Sequence, residues 1–260
     1  MDSIQSIEEF LVSGVFAFML IFTRLGTAML IMPGLGDSFV PSNIRLMMGL
    51  GMAFVLTPIV QTFMPAAVPS FPLLFSLIVM EFVIGLFIGT VARVLMVALD
   101  VAGMIISMTS GLANAQVFNP AVAAQGSIAG AFLSMTGVTL LFVTNMHHML
   151  IYGLVESYQM FPVGGVPDTG GMAELMSKAF AASFKIGFQI AIPFVVIAML
   201  LYIGMGVLSR LMPQVQVFML ALPVQIMLSL ITMALVVSTA MLFWLTQFEQ
   251  GMTYFLTSAG

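Results

Sequence analysis

The chain has no cysteine and few charged residues, and both absences restrict what it can be. Without cysteine it has no disulfides, thiolate metal sites or cysteine nucleophiles. Only 6% of its 260 residues are charged, whereas a soluble domain has about 25%, so this chain cannot cover a water-facing surface. Its six bases stand against ten acids. That balance leaves no basic patch for a phosphate backbone and excludes nucleic acid as a partner.

Catalytic motifs are also missing from the sequence. It contains no Gly-x-x-x-x-Gly-Lys-Ser/Thr loop for nucleotide phosphates. His147 and His148 are adjacent, so on a helix they would point about 100° apart and could not form the i, i+4 zinc pair of a metalloprotease. Ser110 lacks the glycine two positions earlier that a serine elbow requires. The sequence therefore predicts a protein that is not an enzyme and has no metal or cofactor.

Hydrophobic residues make up 61% of the chain and are concentrated in six runs with few or no charges. Each run is close to or above the length of about 18 residues that indicates a membrane-spanning helix. The breaks between runs are rich in proline and glycine, which favour turns. We therefore expect a single all-α domain, a polytopic membrane protein of about six hydrophobic helices. The runs are residues 10–32, 46–64, 73–99, 127–151, 183–209 and 217–247.

Four ionisable residues, Arg24, Glu81, Arg93 and Lys185, lie inside these runs, and Asp100 follows Arg93 on the same predicted helix face. A charge at the centre of a membrane helix costs about 2.5 to 3.5 kcal/mol, so these buried charges need partners. Two interpretations remain open. The charges form a stripe that faces a neighbouring subunit or a pore, or they pair within the chain and reach toward the membrane interface. Because Arg24, Glu81 and Lys185 need partners beyond those that six short-looped helices supply, we expect the chain to be stable only in a hetero-oligomer.

Small and flexible side chains give weaker indications. Gly85 and Gly89 form a GxxxG pattern in an apolar run, which allows close approach of a second helix without identifying it. The chain also has 26 methionines. Methionine-rich surfaces suit deformable seals, although ordinary packing of a membrane bundle explains many of them equally well.

Residues 100–126 differ from the rest because they contain neither a sustained apolar run nor, after Asp100, any charge. Polar irregular backbone is tolerated at membrane depth only where it is buried in protein or lines a watery cavity. We therefore predict that the segment 107–125 is a pore plug, the alternative being an ordinary buried connection. Its candidate residues combine apolar sealing groups with uncharged polar groups: Met108, Thr109, Ser110, Gly111, Leu112, Asn114, Gln116, Val117, Phe118, Asn119 and Pro120.

The stretch 204–218 predicts a helical hairpin with an amide-rich tip. An apolar helix runs into Ser209-Arg210, breaks at Pro213, displays Gln214 and Gln216, and resumes as a second apolar helix. The positive-inside rule places Arg210, with Arg45, in loops on the cytoplasmic side. Because an unpaired amide near lipid is costly, we predict that Arg210, Pro213, Gln214 and Gln216 contact another subunit.

This stretch also carries a family resemblance. The pattern GxGxLSRLMPQVQVF at 204–218, the Leu222-Pro223-Val224-Gln225 that follows, the early Phe22-Thr23-Arg24 and Pro33, and the six-run hydropathy resemble the R-type flagellar biosynthetic proteins, the FliR family, and their type III secretion relatives. The resemblance covers nearly the whole chain, and residues 209–218 are its most specific part.

The resemblance implies a core subunit of the flagellar export gate in the bacterial inner membrane, within the basal body. It implies P-type and Q-type gate subunits (FliP and FliQ) and B-type and A-type export proteins (FlhB and FlhA) as partners, with unfolded flagellar proteins as cargo. The helices would form hairpins in a helical, closed-pore hetero-oligomer. Residues 1–178 would be the P-like part and residues 179–260 the Q-like hairpin part.

Two other classes of function remain as alternatives. A secondary transporter or channel for a small solute is suggested by helices that proline and glycine interrupt, such as those around Pro193 and Gly204. A passive membrane scaffold is the other. The resemblance alone favours a flagellar system over a virulence injectisome.

Overall fold

The computed structural model of the chain is built of long α-helices. It describes residues 2–64, 70–114, 127–165, 167–214 and 216–253, although not the side chains of residues 2–12, 218 and 220. No strand occurs within these ranges, and the prediction of an all-α fold is confirmed. A short 3-10 helix, Gln61–Phe63, follows the second helix. The α-helices are α1 (Asp2–Ile31), α2 (Ser42–Val60), α3 (Phe71–Thr109), α4 (Ile128–Val143), α5 (Met146–Met160), α6 (Thr169–Leu211) and α7 (Val217–Met252).

By length and composition, five segments in the described part of the chain are able to cross a membrane. They lie in α1, α2 with its 3-10 extension, α3, α6 and α7. A sixth span is possible if α4 and α5 act as one, although these two helices are bent by 76° at their junction. The six apolar runs of the sequence therefore correspond to six helical regions, and the prediction of a polytopic architecture is confirmed.

Two predicted helix limits are wrong. The fourth run is not one helix, because Asn145 adopts a left-handed conformation with φ 59° and separates α4 from α5. Asparagine tolerates this conformation better than most residues do. The third helix does not end near Leu99 but continues to Thr109. The reason is close packing: a Cβ atom at Gly103 would overlap the backbone of Gly130, so the small residues bring two helices together instead of forming a loop.

Arg45 also departs from its predicted place in a loop, because it lies in the first turn of α2. Its guanidinium turns back to the preceding segment and donates to the carbonyl oxygens of Gly36 at 3.3 Å and Val40 at 2.9 Å. The turn before α2 is also held by Asp37, whose carboxylate accepts from the backbone N–H of Gly34 at 2.8 Å.

Hydroxyl groups inside the helices bond to their own helix. Thr27 donates to the carbonyl of Thr23 at 2.6 Å, and Thr90 donates to that of Leu86 at 2.7 Å. This i to i−4 bond satisfies a hydroxyl without a partner helix, as an apolar environment requires. Threonines in α1, α2, α3, α4 and α7 follow the same pattern.

The chain divides into two compact units, each built from separated segments. The first unit comprises Met1–Val94, Thr144–Lys178 and Gln250–Gly260, and the second comprises Leu95–Val143 and Ala179–Glu249. One boundary falls between residues 178 and 179, where the family resemblance implies a change from a P-like to a Q-like part. The assignment of those two parts, and of a single domain, stays a prediction.

Each unit has its own core. In the first unit, Phe16 and Leu20 of α1 pack with Leu77 of α3. In the second unit, the Trp244 side chain of α7 is fully buried, and its indole Nε1 donates to the Leu95 carbonyl at 3.2 Å. A buried indole N–H needs such an acceptor. This bond joins α7 to α3 within the second unit.

Candidate functional site

The hairpin predicted from the sequence is present in the second unit. Helix α6 ends at Leu211 and α7 begins at Val217. The predicted contact residues, Arg210, Pro213, Gln214 and Gln216, are all exposed at or beside the tip. The two helices leave an apolar groove of about 760 Å³ between them, lined by residues such as Leu201, Leu208 and Val224.

The start of the predicted plug lies at the end of α3, in the same unit. Met108 and Thr109 form the last turn of the helix, and Met108 is exposed whereas Ser110 is buried. Gly111 has φ +78°, a conformation that glycine adopts without strain. The chain turns there, and the backbone N–H of Asn114 donates to the Gly111 carbonyl at 3.1 Å. The turn residues Leu112 and Asn114 are described, whereas Gln116, Val117, Phe118, Asn119 and Pro120 lie outside the described residues.

Gln225 of α7 holds this turn, although its role was not predicted from the sequence. Its side-chain Nε2 donates to the Thr109 carbonyl oxygen at 2.5 Å and to the Tyr202 hydroxyl at 3.3 Å. Gln225 is 95% buried, with a relative exposure of 5%. The signal in the sequence is a single amide early in an apolar run, shortly after Pro223. That signal does not reveal which backbone group the amide binds.

Further polar groups extend this contact along α7. Ser229 and Thr232 follow Gln225 at helical spacing, and both are largely buried. Together with Thr109 and Ser110 they line a cavity of only about 10 Å³, closed on its other side by apolar residues of α6. A space of this size is at the lower limit for one water molecule. The end of α3 is therefore tightly sealed against the α6–α7 hairpin.

A second polar cluster surrounds Arg24 in the first unit. Arg24 is fully buried, and its Nε and Nη2 atoms donate to the two carboxylate oxygens of Glu81 at 2.5 and 3.0 Å. It also donates to the Ser157 hydroxyl at 3.2 Å and to the Phe161 carbonyl at 2.8 Å. The Tyr158 ring lies 3.8 Å from the guanidinium carbon, a cation–π distance. Arg24 therefore joins α1, α3 and the end of α5.

The GxxxG pair of α3 lies beside this cluster. A Cβ atom at Gly85 would overlap the carbonyl oxygen of Arg24, and one at Gly89 would lie 2.8 Å from the carbonyl oxygen of Ala28. The close approach predicted from the pattern therefore occurs, and the second helix is α1 of the same chain. Backbone contact at this point places Glu81 directly against Arg24.

The remaining charges differ in burial. Arg93 forms an ion pair with Asp37, and its side chain is 42% exposed. Asp100 is exposed and accepts from the Ser134 hydroxyl at 2.5 Å. Lys185 is exposed, and the described residues include no ion pair for it. Contrary to the prediction, only Arg24 and Glu81 of the five charges are fully buried, because the others lie on outer helix faces.

In both units the buried polar clusters are held by hydrogen bonds between side chains and to backbone carbonyl groups. Within the described residues there is no group of three His, Asp or Glu side chains that could hold a metal ion. His147 and His148 lie in the first turn of α5 with ring centroids 4.2 Å apart.

Comparison with known proteins identifies the family. A family model described as "Bacterial export proteins, family 1" matches residues 15–251. The chain belongs to this family. It is 35% identical to the flagellar biosynthetic protein FliR of Caulobacter vibrioides, over 91% of this chain and 94% of that protein. It is 30% identical to the same-named protein of Bacillus subtilis, over 85% and 86%.

A relative with a different name is also similar. The Yop proteins translocation protein T of Yersinia pestis is 31% identical over 58% of this chain and 59% of that protein. The match to the bacterial export protein family includes Arg24, the end of α3, the hairpin tip and Gln225. The resemblance that the sequence showed is therefore confirmed.

Proposed function

We propose that the chain is a non-enzymatic core subunit of a flagellar type III protein export gate. In this role it helps to form a closed conduit for unfolded export substrates across the bacterial inner membrane, within the flagellar basal body. Its partners are the P-type and Q-type gate subunits and the B-type and A-type export proteins. The similarity to two flagellar FliR proteins, over 85% to 91% of this chain and 86% to 94% of theirs, supports a flagellar system.

The observation that carries this proposal is the length of the apolar face of α6. Large exposed apolar side chains extend along it from Phe180 to Leu211, a distance of about 47 Å at about 1.5 Å per residue. The hydrocarbon core of a bilayer is about 30 Å thick. Burying the whole face in lipid would require a tilt of about 50°, outside the range of about 0 to 40° found for membrane helices. We infer that other protein subunits cover part of this face.

We further propose that residues 107–125 close the conduit. No Asp, Glu, Lys or Arg occurs between Asp100 and Glu156. The segment 107–125 therefore offers no charged side chain that would attract ions. Its first residues are packed against the hairpin with almost no free volume. Such a seal both satisfies backbone polar groups and excludes water.

The experiment that tests the plug deletes residues 111–118 and measures ion leakage, secretion and assembly of the gate. A plug predicts a leaky membrane with assembly retained. As a control, the same eight positions are replaced by a glycine-serine linker of equal length. This variant loses the sealing side chains but keeps the length of the segment, so it shows which of the two matters. A tight membrane with normal assembly would refute the plug, and loss of assembly would favour a buried structural connection.

A secondary transporter is the competing function, because ionisable residues within membrane helices commonly mark ion or substrate paths. In this chain, however, Arg24 and Glu81 bind each other through two hydrogen bonds and leave no vacant site between them. Solute uptake by liposomes that contain only this chain would favour the transporter over the gate subunit.

A further inference from the structure

We propose that Gln225 is a positioning residue that latches the end of α3 to α7 and thereby keeps the conduit closed. The inference rests on the proposed function and assigns a role to a residue outside the predicted plug and tip. It is carried by the contacts between Gln225, Thr109, Gly111 and Tyr202, all of which belong to the second unit.

First, the carbonyl groups at the end of α3 need hydrogen-bond partners. The last carbonyl groups of an α-helix have no partner within the helix, and an unpaired carbonyl in an apolar environment is costly. At the end of α3, the backbone N–H of Ser110 bonds to the Ile106 carbonyl at 2.8 Å, and that of Ala113 bonds to the Ser107 carbonyl at 3.0 Å. The Thr109 carbonyl receives the Gln225 amide instead. A side chain of α7 therefore caps α3.

The second step is the contact that fixes the turn. A Cβ atom at Gly111 would lie 3.6 Å from Leu222 Cδ2 and 3.7 Å from Gln225 Cδ. The Gly111 backbone thus packs against the same short segment of α7 that supplies the amide. Leu222 and Gln225 would be the neighbours of any side chain at position 111, and Gln225 supplies the directed bond to the turn through the Thr109 carbonyl.

The third step is that this contact is able to open. The Gln225 amide has two N–H donors, and Tyr202 Oη accepts from Nε2 at 3.3 Å. When the Thr109 carbonyl leaves, the amide therefore keeps a partner, and opening breaks one strong hydrogen bond rather than a network. A contact of this strength holds a closed state without making it permanent.

The test uses two variants and a matched control. Gln225→Met keeps the length of the side chain and removes both donors. Gln225→Glu restores a donor only when its carboxyl group is protonated. Gln189→Met removes an exposed amide from α6 in the same unit and serves as the control. Among the described residues that line this contact, Tyr202 is the only side chain that ionises, and no carboxylate or base faces Gln225.

The direct readout is the accessibility of residue 110. The chain has no cysteine, so Ser110→Cys introduces a single thiol at a position that is 2% exposed. In the assembled gate, in native membranes, Gln225→Met should raise the rate of thiol labelling about tenfold, the change expected from loss of one buried hydrogen bond. Ion leakage should rise with it, and Gln189→Met should change neither.

The pH dependence distinguishes a latch from general damage. Gln225→Glu can donate to the Thr109 carbonyl only while its carboxyl group is protonated, so it should label more slowly at about pH 5.5 than at about pH 8, relative to the Ser110→Cys parent at the same pH. In Gln225→Met, the rate of thiol labelling should be high throughout this pH range.

Three results decide the matter. Slow labelling in Gln225→Met, or a Gln225→Glu rate that does not change with pH, overturns the latch. Fast labelling with a leaky membrane supports both the latch and the closed conduit. Fast labelling with a tight membrane supports the contact between Gln225 and the end of α3, but it overturns the role of this contact in keeping the conduit closed and contradicts the proposed plug.

Discussion

Arg24 and Glu81 show how this chain accommodates charge in an apolar interior. Both side chains are almost completely buried, and the guanidinium binds the carboxylate through two hydrogen bonds. Ser157 and Phe161 accept from two further N–H groups of the guanidinium, so four of its five donors are bonded. Removing one member would leave the other charge buried without its counter-ion. A pair of this kind therefore fixes how α1, α3 and α5 fit together.

We predict that Glu81→Leu or Arg24→Met alone destabilises the protein by about 3 to 5 kcal/mol, and that the double variant costs less than either. The measurement is denaturant or thermal unfolding of the detergent-solubilised complex. Glu174→Gln is the control, because the side chains of the Lys178–Glu174 ion pair are 76% and 68% exposed and the pair should contribute little to stability. Equal losses in all the variants would contradict this role of the buried pair.

Gly85 allows the close approach of α1 and α3, and this contact leads to a second prediction. Alanine favours a helix over glycine by about 1 kcal/mol, yet Gly85→Ala should destabilise the protein because its Cβ atom would overlap the Arg24 backbone. Gly14→Ala should be neutral or stabilising, since nothing lies within 4 Å of a Cβ atom there. The measurement is again unfolding of the solubilised complex, and a stabilising Gly85→Ala would show that α1 and α3 are not so close.

Among the elements, the α6–α7 hairpin carries the exposed amides. We predict that changing Gln214 and Gln216 together to leucine weakens co-purification of the B-type partner by about tenfold or more, because two hydrogen-bonding groups are lost. Membrane insertion should be unaffected. Gln189→Leu, an exposed amide away from the tip, is the matched control. Unchanged recovery of the partner would remove this role from the tip.

The elements also show which features a sequence reveals. Long apolar runs predicted the helices, because a helix that is buried in lipid or protein must be apolar. Pro213 correctly predicted the break between α6 and α7. The extension of α3 to Thr109 was not predicted, because small residues such as Gly103 are typical of loops. In the structure Gly103 is helical, and its small size allows close contact with Gly130. The bend at Asn145 depends on a single left-handed residue within an apolar run.

Partners distant in sequence were the least predictable part of the site. The buried charges were recognised, but the pairing of Arg24 with Glu81 joins residues 57 positions apart. The bond from Gln225 to Thr109 spans 116 positions. Composition indicates that a buried amide or charge needs a partner, whereas only the fold specifies which one.

At the scale of the whole chain, the reason to expect a hetero-oligomer has changed. The sequence suggested that Arg24, Glu81 and Lys185 lack partners, but the first two satisfy each other. Two features still favour a hetero-oligomer: Lys185, which is exposed on an apolar helix, and the long apolar face of α6. Lipid alone could bury this face only at a tilt of about 50°, beyond the range found for membrane helices, so we infer that protein covers part of it. We therefore expect the isolated chain to aggregate or to be degraded.

The most direct test of the account is the mass and composition of the native complex after mild detergent extraction, determined by native mass spectrometry with each subunit identified. The account predicts a single assembly that contains this chain together with P-type and Q-type subunits. Recovery of the chain as a folded, monodisperse and fully active monomer would contradict it.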